Sequence, residues 1–362
     1  MTLPGKPFGS GTSVAAAFCA TLVDEWVRHG LTAAVICPGS RSTPMALALA
    51  AEESIAVEVR LDERSAAFFA LGIAHSSGRP AVLLTTSGTA AAECYPAVIE
   101  AAYGRVPMIV CTADRPPELQ HVGAPQAIDQ SSLYGRHVRF YCDPGVPDQG
   151  SATSWRSLGS RVALEATAGP YGPGPVHLNL PFREPLVGEP GELPEGRAGG
   201  RPWHAAPAVT ARAAPGGREL AERLSRDIRP GRKGLIVAGG GLPPGAGDLV
   251  AELAGLLEWP VLADPRARIE PGRPGGTSVT VVGAADALVR SEGFAEQFLP
   301  EVVLRVGAPH ASKELASFLA RSAAGWATQV GIDPYWAWRD PSRDVAEVVC
   351  ADEVSVLSDL FS

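Results

Sequence analysis

The sequence predicts an α/β protein made of two successive units, the first a doubly wound parallel sheet. Three observations predict it. Short, wholly apolar runs such as Ala81-Val82-Leu83-Leu84-Thr85 alternate with stretches of helical period, the pattern of parallel strands covered on both faces. The strand ends carry polar, turn-forming residues. A Pro-, Gly- and Glu-rich stretch from Phe182 to about Gly217 separates the two series and reads as a linker.

The elements follow in order. Val14, Phe18, Leu22 and Trp26 step by four, so residues 12–29 form an amphipathic helix that Gly30 ends. Ala33 to Cys37 is a buried strand. Pro38-Gly39-Ser40-Arg41-Ser42-Thr43-Pro44 then leads into an alanine-rich helix. Two readings stand for this loop: an anion site at a helix N-terminus, or a capped turn with Pro44 in the first turn. Val57, Val59 and Leu61 alternate with Glu58 and Arg60, a strand that stops at Asp62-Glu63. Ala66, Phe69, Ala70 and Ile73 then recur at helical spacing. Glu63 is thereby assigned to the carboxyl end of a strand, where ligands gather in open α/β sheets; alternatively, Asp62 and Glu63 serve only the helix dipole.

After strand 81–85, Thr86-Ser87-Gly88-Thr89 opens one helix containing Glu93, Tyr95 and Ile99. Strand 108–112 ends at Asp114-Arg115-Pro116-Pro117. A turn-rich stretch, Gly123 to Gln130, follows. Residues 151–168 read as a helix and Pro175 to Pro181 as a last buried strand, with His177 a core histidine. Four strand ends with chemistry on one sheet edge favour a site over coincidence. The second unit begins near Arg218, with strands at 234–238, 258–264, 301–307, 326–332 and 346–350. A last helix opens at Asp352 and runs to Ser362. Gly239-Gly240-Gly241 superficially suggests a dinucleotide loop, but no acidic residue completes the fingerprint.

Composition narrows the function classes. With 362 residues, 46% of them hydrophobic, the chain can build two or three cores. A net charge of −8 argues against a general nucleic-acid binder. No apolar run reaches membrane-spanning length, and Met1 to Ser10 lacks the order of a signal peptide. Six scattered cysteines without a C-x-x-C pair suit buried thiols in a cytoplasmic protein, and the seven histidines lack metal-ligand spacing.

Several segments together carry a resemblance: Cys37 to Pro44, Asp62-Glu63-Arg64-Ser65-Ala66, Thr86-Ser87-Gly88-Thr89-Ala90, Thr112 to Pro117, Gly123-Ala124-Pro125-Gln126, Pro175 to Asn179 and Pro181 to Leu186. The chain resembles the 2-succinyl-5-enolpyruvyl-6-hydroxy-3-cyclohexene-1-carboxylate synthases, thiamine-diphosphate enzymes of menaquinone biosynthesis. The likeness is continuous over 12–187 and looser over 218–350. It implies a pyrimidine-binding domain at 1–187, a linker at 188–217 and a Rossmann-like middle domain, related to transhydrogenase domain III, at 218–362. It also implies a third domain that holds the diphosphate and Mg2+ or Mn2+ through Gly-Asp-Gly, a motif these residues do not contain. The resemblance therefore reads the chain as a truncated form. It predicts very weak thiamine-diphosphate binding and no turnover by these residues alone.

The implied reaction decarboxylates 2-oxoglutarate and adds the resulting carbanion to isochorismate in a homodimer or homotetramer. The resemblance gives Glu63 as the cofactor-activating acid, with Pro38, Gly39, Thr86 and Ser87 also on the cofactor. It gives Ser40, Arg41, Arg115, Gln126 and Lys313 as substrate contacts, and no metal ligand in this chain. Arg105 matches a basic position of a possible regulatory pocket, or is a solvated arginine. Three rival readings stand beside this one. The first is another thiamine-diphosphate enzyme, such as an acetohydroxyacid synthase. The second is a non-catalytic binding or regulatory remnant. The third is an NAD-binding protein built on Gly239 to Gly247.

Overall fold

Alternating strand and helix periods build two parallel sheets in the computed structural model, which describes residues 12–205, 222–269, 281–335 and 337–360. The chain divides into two compact units, Met1–Ala206 and Pro207–Ser362.

In the first unit, β1 (Ala33–Ile36), β2 (Ala56–Val59), β3 (Ala81–Thr85), β4 (Met108–Asp114), β5 (Tyr141–Cys142) and β6 (Pro175–Pro181) form one sheet ordered β2-β1-β3-β4-β6-β5. Every pairing is parallel, so all carboxyl ends lie on one edge. α1 (Val14–Arg28), α2 (Thr43–Ala51) and α6 (Ala152–Ala168) cover one face through a cluster containing Phe18, Leu22, Trp26 and Trp155. α3 (Glu63–Ser77), α4 (Thr89–Glu93) and α5 (Tyr95–Gly104) cover the other through small side chains, Ala66, Ala67, Ala70 and Ala97. The order reverses between β1 and β3, which opens a crevice at their carboxyl ends.

The expected single helix after β3 is two helices. Pro96 brings no N–H and occupies the first turn of α5, so the chain breaks at Cys94. The expected core-facing alternation of Val57, Val59 and Leu61 also differs. β2 is an edge strand that stops at Val59; Val59 is 59% exposed and Leu61 86% exposed.

Of the segment read as a linker, residues up to 205 belong to the first unit. Glu189 bridges Thr12 and accepts from Ser13 N; Arg156 Nε donates to Pro194 O, and Arg28 donates to Arg197 O and Arg201 O. Buried Glu25 anchors this strap: Arg156 bonds its carboxylate at 3.0 Å and Trp203 N donates to it. Residues 206–217, and the start of the second unit near Arg218, lie outside the described residues, as do Met1–Ser10 and the last two residues.

The second sheet is ordered β12-β11-β10-β7-β8-β9, again all parallel. Its strands are β7 (Gly234–Ala238), β8 (Val261–Ala263), β9 (Val281–Val282), β10 (Val302–Val306), β11 (Thr328–Ile332) and β12 (Glu347–Val349). α7 (Ala246–Leu257) and α11 (Glu353–Asp359) pack on one side. α8 (Ala285–Arg290), α9 (Glu292–Gln297) and α10 (Lys313–Ala324) follow in the rest of the unit. The two-residue strands β5 and β9 are too short to show a period, and the sequence reading passes over them.

The glycines after β7 have a packing role. A Cβ on Gly239 would lie 1.5 Å from Ala308 O, and one on Gly307, at φ +74°, would lie 2.8 Å from Gly239 O. Gly239 N donates to Val306 O and Ala308 N to Gly240 O. Backbone against backbone fills the crevice at this sheet's reversal point, and α7 begins only at Ala246. The dinucleotide reading of Gly239 to Gly247 has no phosphate cradle to rest on.

Candidate active site

Five loops follow the carboxyl ends of β2, β1, β3, β4 and β6 along one edge of the first sheet. They carry Glu63, Ser40 and Arg41, Thr86 and Ser87, Asp114 and Arg115, and Arg183 and Glu184.

At the end of β2 the two acids divide the work. Asp62 caps α3: its Oδ1 accepts from Ser65 N and Ser65 Oγ, both at 2.7 Å, and these bonds hold its carboxyl below the usual range. Glu63 is half-buried in the first turn, and its carboxylate bonds to no described residue. Cys37 and Cys94 lie close to it. Burial, and then the charges of Glu63 and Asp62, push the Cys37 thiol up to about 12. Burial likewise raises Cys94, whose Sγ lies 4.0 Å from Glu63 O. Both thiols are therefore protonated, apolar neighbours of a free carboxylate.

The crevice between β1 and β3 is closed tightly at its base. A Cβ on Gly39 would fall 2.3 Å from Thr86 Cβ, so only glycine lets the two loops meet. Pro38 and Ser40 are exposed above this contact, and Thr86 is buried below it. Ser87 is also buried, and its Oγ donates to Gln126 O at 2.9 Å. That bond holds Gln126 at φ +59°, the left-handed region that a residue with a side chain adopts at a cost of about 1–3 kcal/mol. Gln126 O in turn crowds Gly88, itself at φ +87°. Gln126 is thus an exposed side chain on a fixed backbone.

Arg41 is only 7% exposed and crosses to the loop after β6. Its Nη1 donates to Phe182 O at 3.0 Å, and Nη2 lies 3.4 Å from the exposed Glu184 carboxylate. Its Nε is buried without an acceptor. Burial, then the charge of Arg115, lowers its pKa from the ordinary guanidinium value, and Glu184 opposes them. Arg115 forks onto Pro125 O through Nε and Nη2 at 3.2 and 2.9 Å. Two neighbouring guanidiniums, one with an orphaned donor, have the chemistry that suits a carboxylate. Across the rim, Arg183 grips Glu118 at 2.6 and 2.8 Å.

Beneath these loops lies a buried polar network that sequence reading did not assign. Thr112 Oγ1 lies 2.7 Å from His177 Nε2 and donates to Asn179 Oδ1 at 2.9 Å. Asn179 Nδ2 donates to Asp114 and Asp143 at 2.9 and 3.0 Å, and Arg115 N donates to Asp114 Oδ1. The Thr112 proton is committed to Asn179, so His177 Nε2 carries a proton toward Thr112 while its buried Nδ1 stays bare. Burial pushes His177 down to about 3, which keeps it neutral. Burial also raises Asp114, with its bond from Asn179 acting against that. Buried polar residues break no apolar period, so only their spatial convergence reveals them.

Lys313 lies in the second unit, exposed at the start of α10, where Ser312 Oγ caps the helix by accepting from Leu315 N. Among the described residues there is no group of acidic, histidine or cysteine side chains able to hold a metal ion. No helix among them is long and apolar enough to cross a membrane.

Residues 14–133, which span all the loops through β4 and Gln126, match the family model described as thiamine pyrophosphate enzyme, N-terminal TPP binding domain. Over longer stretches the chain is similar to proteins named 2-succinyl-5-enolpyruvyl-6-hydroxy-3-cyclohexene-1-carboxylate synthase. That of Chloroflexus aurantiacus is 44% identical over 334 residues, covering 92% of this chain and 55% of the relative. That of Geobacillus kaustophilus is 43% identical over 93% of this chain and 57% of its own length. That of Halobacterium salinarum is 42% identical over 91% and 57%. The chain therefore spans about half the length of the curated relatives it matches.

Proposed function

This chain belongs to the 2-succinyl-5-enolpyruvyl-6-hydroxy-3-cyclohexene-1-carboxylate synthase family, and from that premise we propose that it carries the pyrimidine side of a thiamine-diphosphate-dependent transferase. The reaction is the decarboxylation of 2-oxoglutarate and the joining of the remaining carbon skeleton to isochorismate, a step of menaquinone biosynthesis. The observation that carries this reading is the Glu63 carboxylate, left unpartnered at the start of α3 on the same edge as two arginines.

The residues fit the cofactor. Glu63 is free to hydrogen-bond the aminopyrimidine ring nitrogen, and the Gly39–Thr86 contact, with Pro38 and Ser87 beside it, forms the floor on which the ring would rest. When bound, thiamine diphosphate supplies a carbon nucleophile and an electron sink for the bond that releases CO2. This chain's residues bind and orient. Glu63 holds a proton at the ring nitrogen. Arg41, with its orphaned Nε, and Arg115 take substrate carboxylates; Ser40 and Gln126 supply hydrogen bonds at the mouth. Lys313 of the second unit is proposed as a further carboxylate contact. The reading adds Mg2+ or Mn2+ on the diphosphate, held by residues other than these.

A homodimer or homotetramer working in the cytoplasm completes the proposal. Leu47, Val59, Leu61, Phe68 and Phe69, all exposed on β2 and the segments flanking it, support self-association. Six unpaired cysteines suit a reducing compartment.

Glu63→Gln tests the function. In the synthase at the full length of its relatives, it lowers the rate of isochorismate-dependent CO2 release by about 10²–10⁴-fold, the range of a lost general acid. A panel with pyruvate in place of 2-oxoglutarate tests the acetohydroxyacid-synthase alternative; a preference for pyruvate would overturn the substrate assignment.

A further inference from the structure

We propose that Gln130 is a positioning residue of this site, its one carboxamide tying the turn after β3 to the carboxyl-end residues of strands β4 and β6. Gln130 is 1% exposed, and its Oε1 accepts from Gly88 N at 2.8 Å. Its Nε2 donates to Asn179 Oδ1 at 2.8 Å and to Ala113 O at 3.2 Å. Both amide hydrogens are thus used, and the oxygen holds the turn that carries Thr86 and Ser87. Gly88, at φ +87°, is also the residue on which Gln126 O packs. Releasing Gly88 therefore loosens the Thr86–Ser87 turn and the backbone that presents Gln126.

The network fixes the direction of every bond around Gln130. Asn179 Oδ1 accepts from Gln130 and Thr112, while Asn179 Nδ2 serves Asp114 and Asp143. An Asn179 flip would aim its oxygen at two carboxylates, so a change at Gln130 has no compensating rearrangement. Asp114 passes the constraint on by holding Arg115 N at 2.7 Å. The carboxamide thus reaches both the cofactor-side turn and the arginine-bearing turn without touching either ligand.

The direction of these bonds supplies the test. Gln130→Glu keeps the acceptor for Gly88 N but has no hydrogen for Asn179 Oδ1 or Ala113 O until it is protonated. The titratable groups facing it are Asp114 on β4, Asp143 after β5, His177 on β6 through Thr112, and Asp129 next in the chain. The three carboxylates disfavour a further charge. Gln130→Met has nearly the same shape, no bonds and no titration.

The proposal rests on the functional reading for its kinetic arm only. In the synthase at family length, Gln130→Glu is expected to raise KM for 2-oxoglutarate about ten-fold at pH 8, relative to wild type, with kcat within about three-fold. The ratio falls toward one by pH 6. Gln130→Met is expected to raise KM by a similar factor at both pH values. A Gln130→Glu ratio that is flat with pH, or near one throughout, would overturn the proposal. Hydrogen exchange at Gly88, followed by NMR in the 362-residue chain, needs no activity and stands even where Gln130→Glu does not fold. The Gly88 amide is expected to be protected at least a hundred-fold over an open loop, and at least ten-fold less so in Gln130→Met. Open-loop exchange in wild type, or unchanged protection in Gln130→Met, overturns the proposal. An inactive wild type whose Gly88 is protected and released as stated counts against the functional reading and supports the clamp.

Discussion

Asp62 and Glu63 are adjacent acids in one helix turn with different fates, and the difference is geometric. Asp62, at the N-cap, turns its short side chain back onto Ser65 N; Glu63, one residue later, has no orphaned donor within reach. Sequence alone left a helix-dipole role open for both, beside a site at the strand end for Glu63. Arg41 shows a related effect: Glu184 lies 3.4 Å from its Nη2, and under the proposed function it would compete there with a substrate carboxylate. Glu184→Gln is therefore expected to lower KM for 2-oxoglutarate about two- to five-fold, the scale of a weak exposed ion pair; a higher KM would make Glu184 part of the receptor instead. Arg41→Lys loses the planar fork and is expected to raise KM at least ten-fold. His177 gives a pH prediction. Its folded pKa, about 3, lies below the ordinary value near 6.5, so its stabilising contribution is whole above that ordinary value and is lost as pH falls toward 3. Between those limits its slope is about 1.4 kcal/mol per pH unit. Denaturant unfolding of His177→Gln from pH 7 to 4 is expected to show a shallower acid loss than wild type, and equal slopes would contradict the assignment.

At the scale of elements, most of the first sheet was legible. Its strands are continuous apolar runs, and its helices keep their period. The loops were legible as chemistry, since Ser, Arg, Glu and Asp at strand ends are not core residues. Three features were not. β2 looks alternating but is an edge strand, so its Val59 and neighbouring Leu61 face outward, and period 2 says nothing of which face is covered. The α4–α5 break depends on Pro96 overriding an unbroken apolar pattern. The Gln130–Asn179–Asp114 network joins residues from distant segments and has no linear signature. Gly39 is the element-scale test of the crevice. Gly39→Ala forces β1 and β3 loops apart at Thr86 and is expected to destabilise the fold by about 1–3 kcal/mol, read as a fall in Tm.

Over the whole molecule, two parallel sheets use their reversal points differently. In the first unit the reversal between β1 and β3 carries the candidate site; in the second, Gly239 and Gly307 fill it with backbone. Glycine-bearing turns therefore serve opposite ends in the two sheets, and the packing separates them. The apolar side chains around β2 give the molecule-scale prediction. Leu61→Asp combined with Phe68→Asp is expected to shift the proposed dimer or tetramer of the family-length protein toward monomer in sedimentation velocity, with loss of activity; an unchanged assembly would count against an interface at these side chains. The central claim is that the free Glu63 carboxylate, and not the acid beside it, drives the chemistry of this edge. The direct measurement is isochorismate-dependent CO2 release from 2-oxoglutarate by Glu63→Gln and Asp62→Asn, side by side, in the synthase at family length. The account predicts a loss of at least a hundred-fold for Glu63→Gln and less than ten-fold for Asp62→Asn; near-wild-type turnover by Glu63→Gln would contradict it.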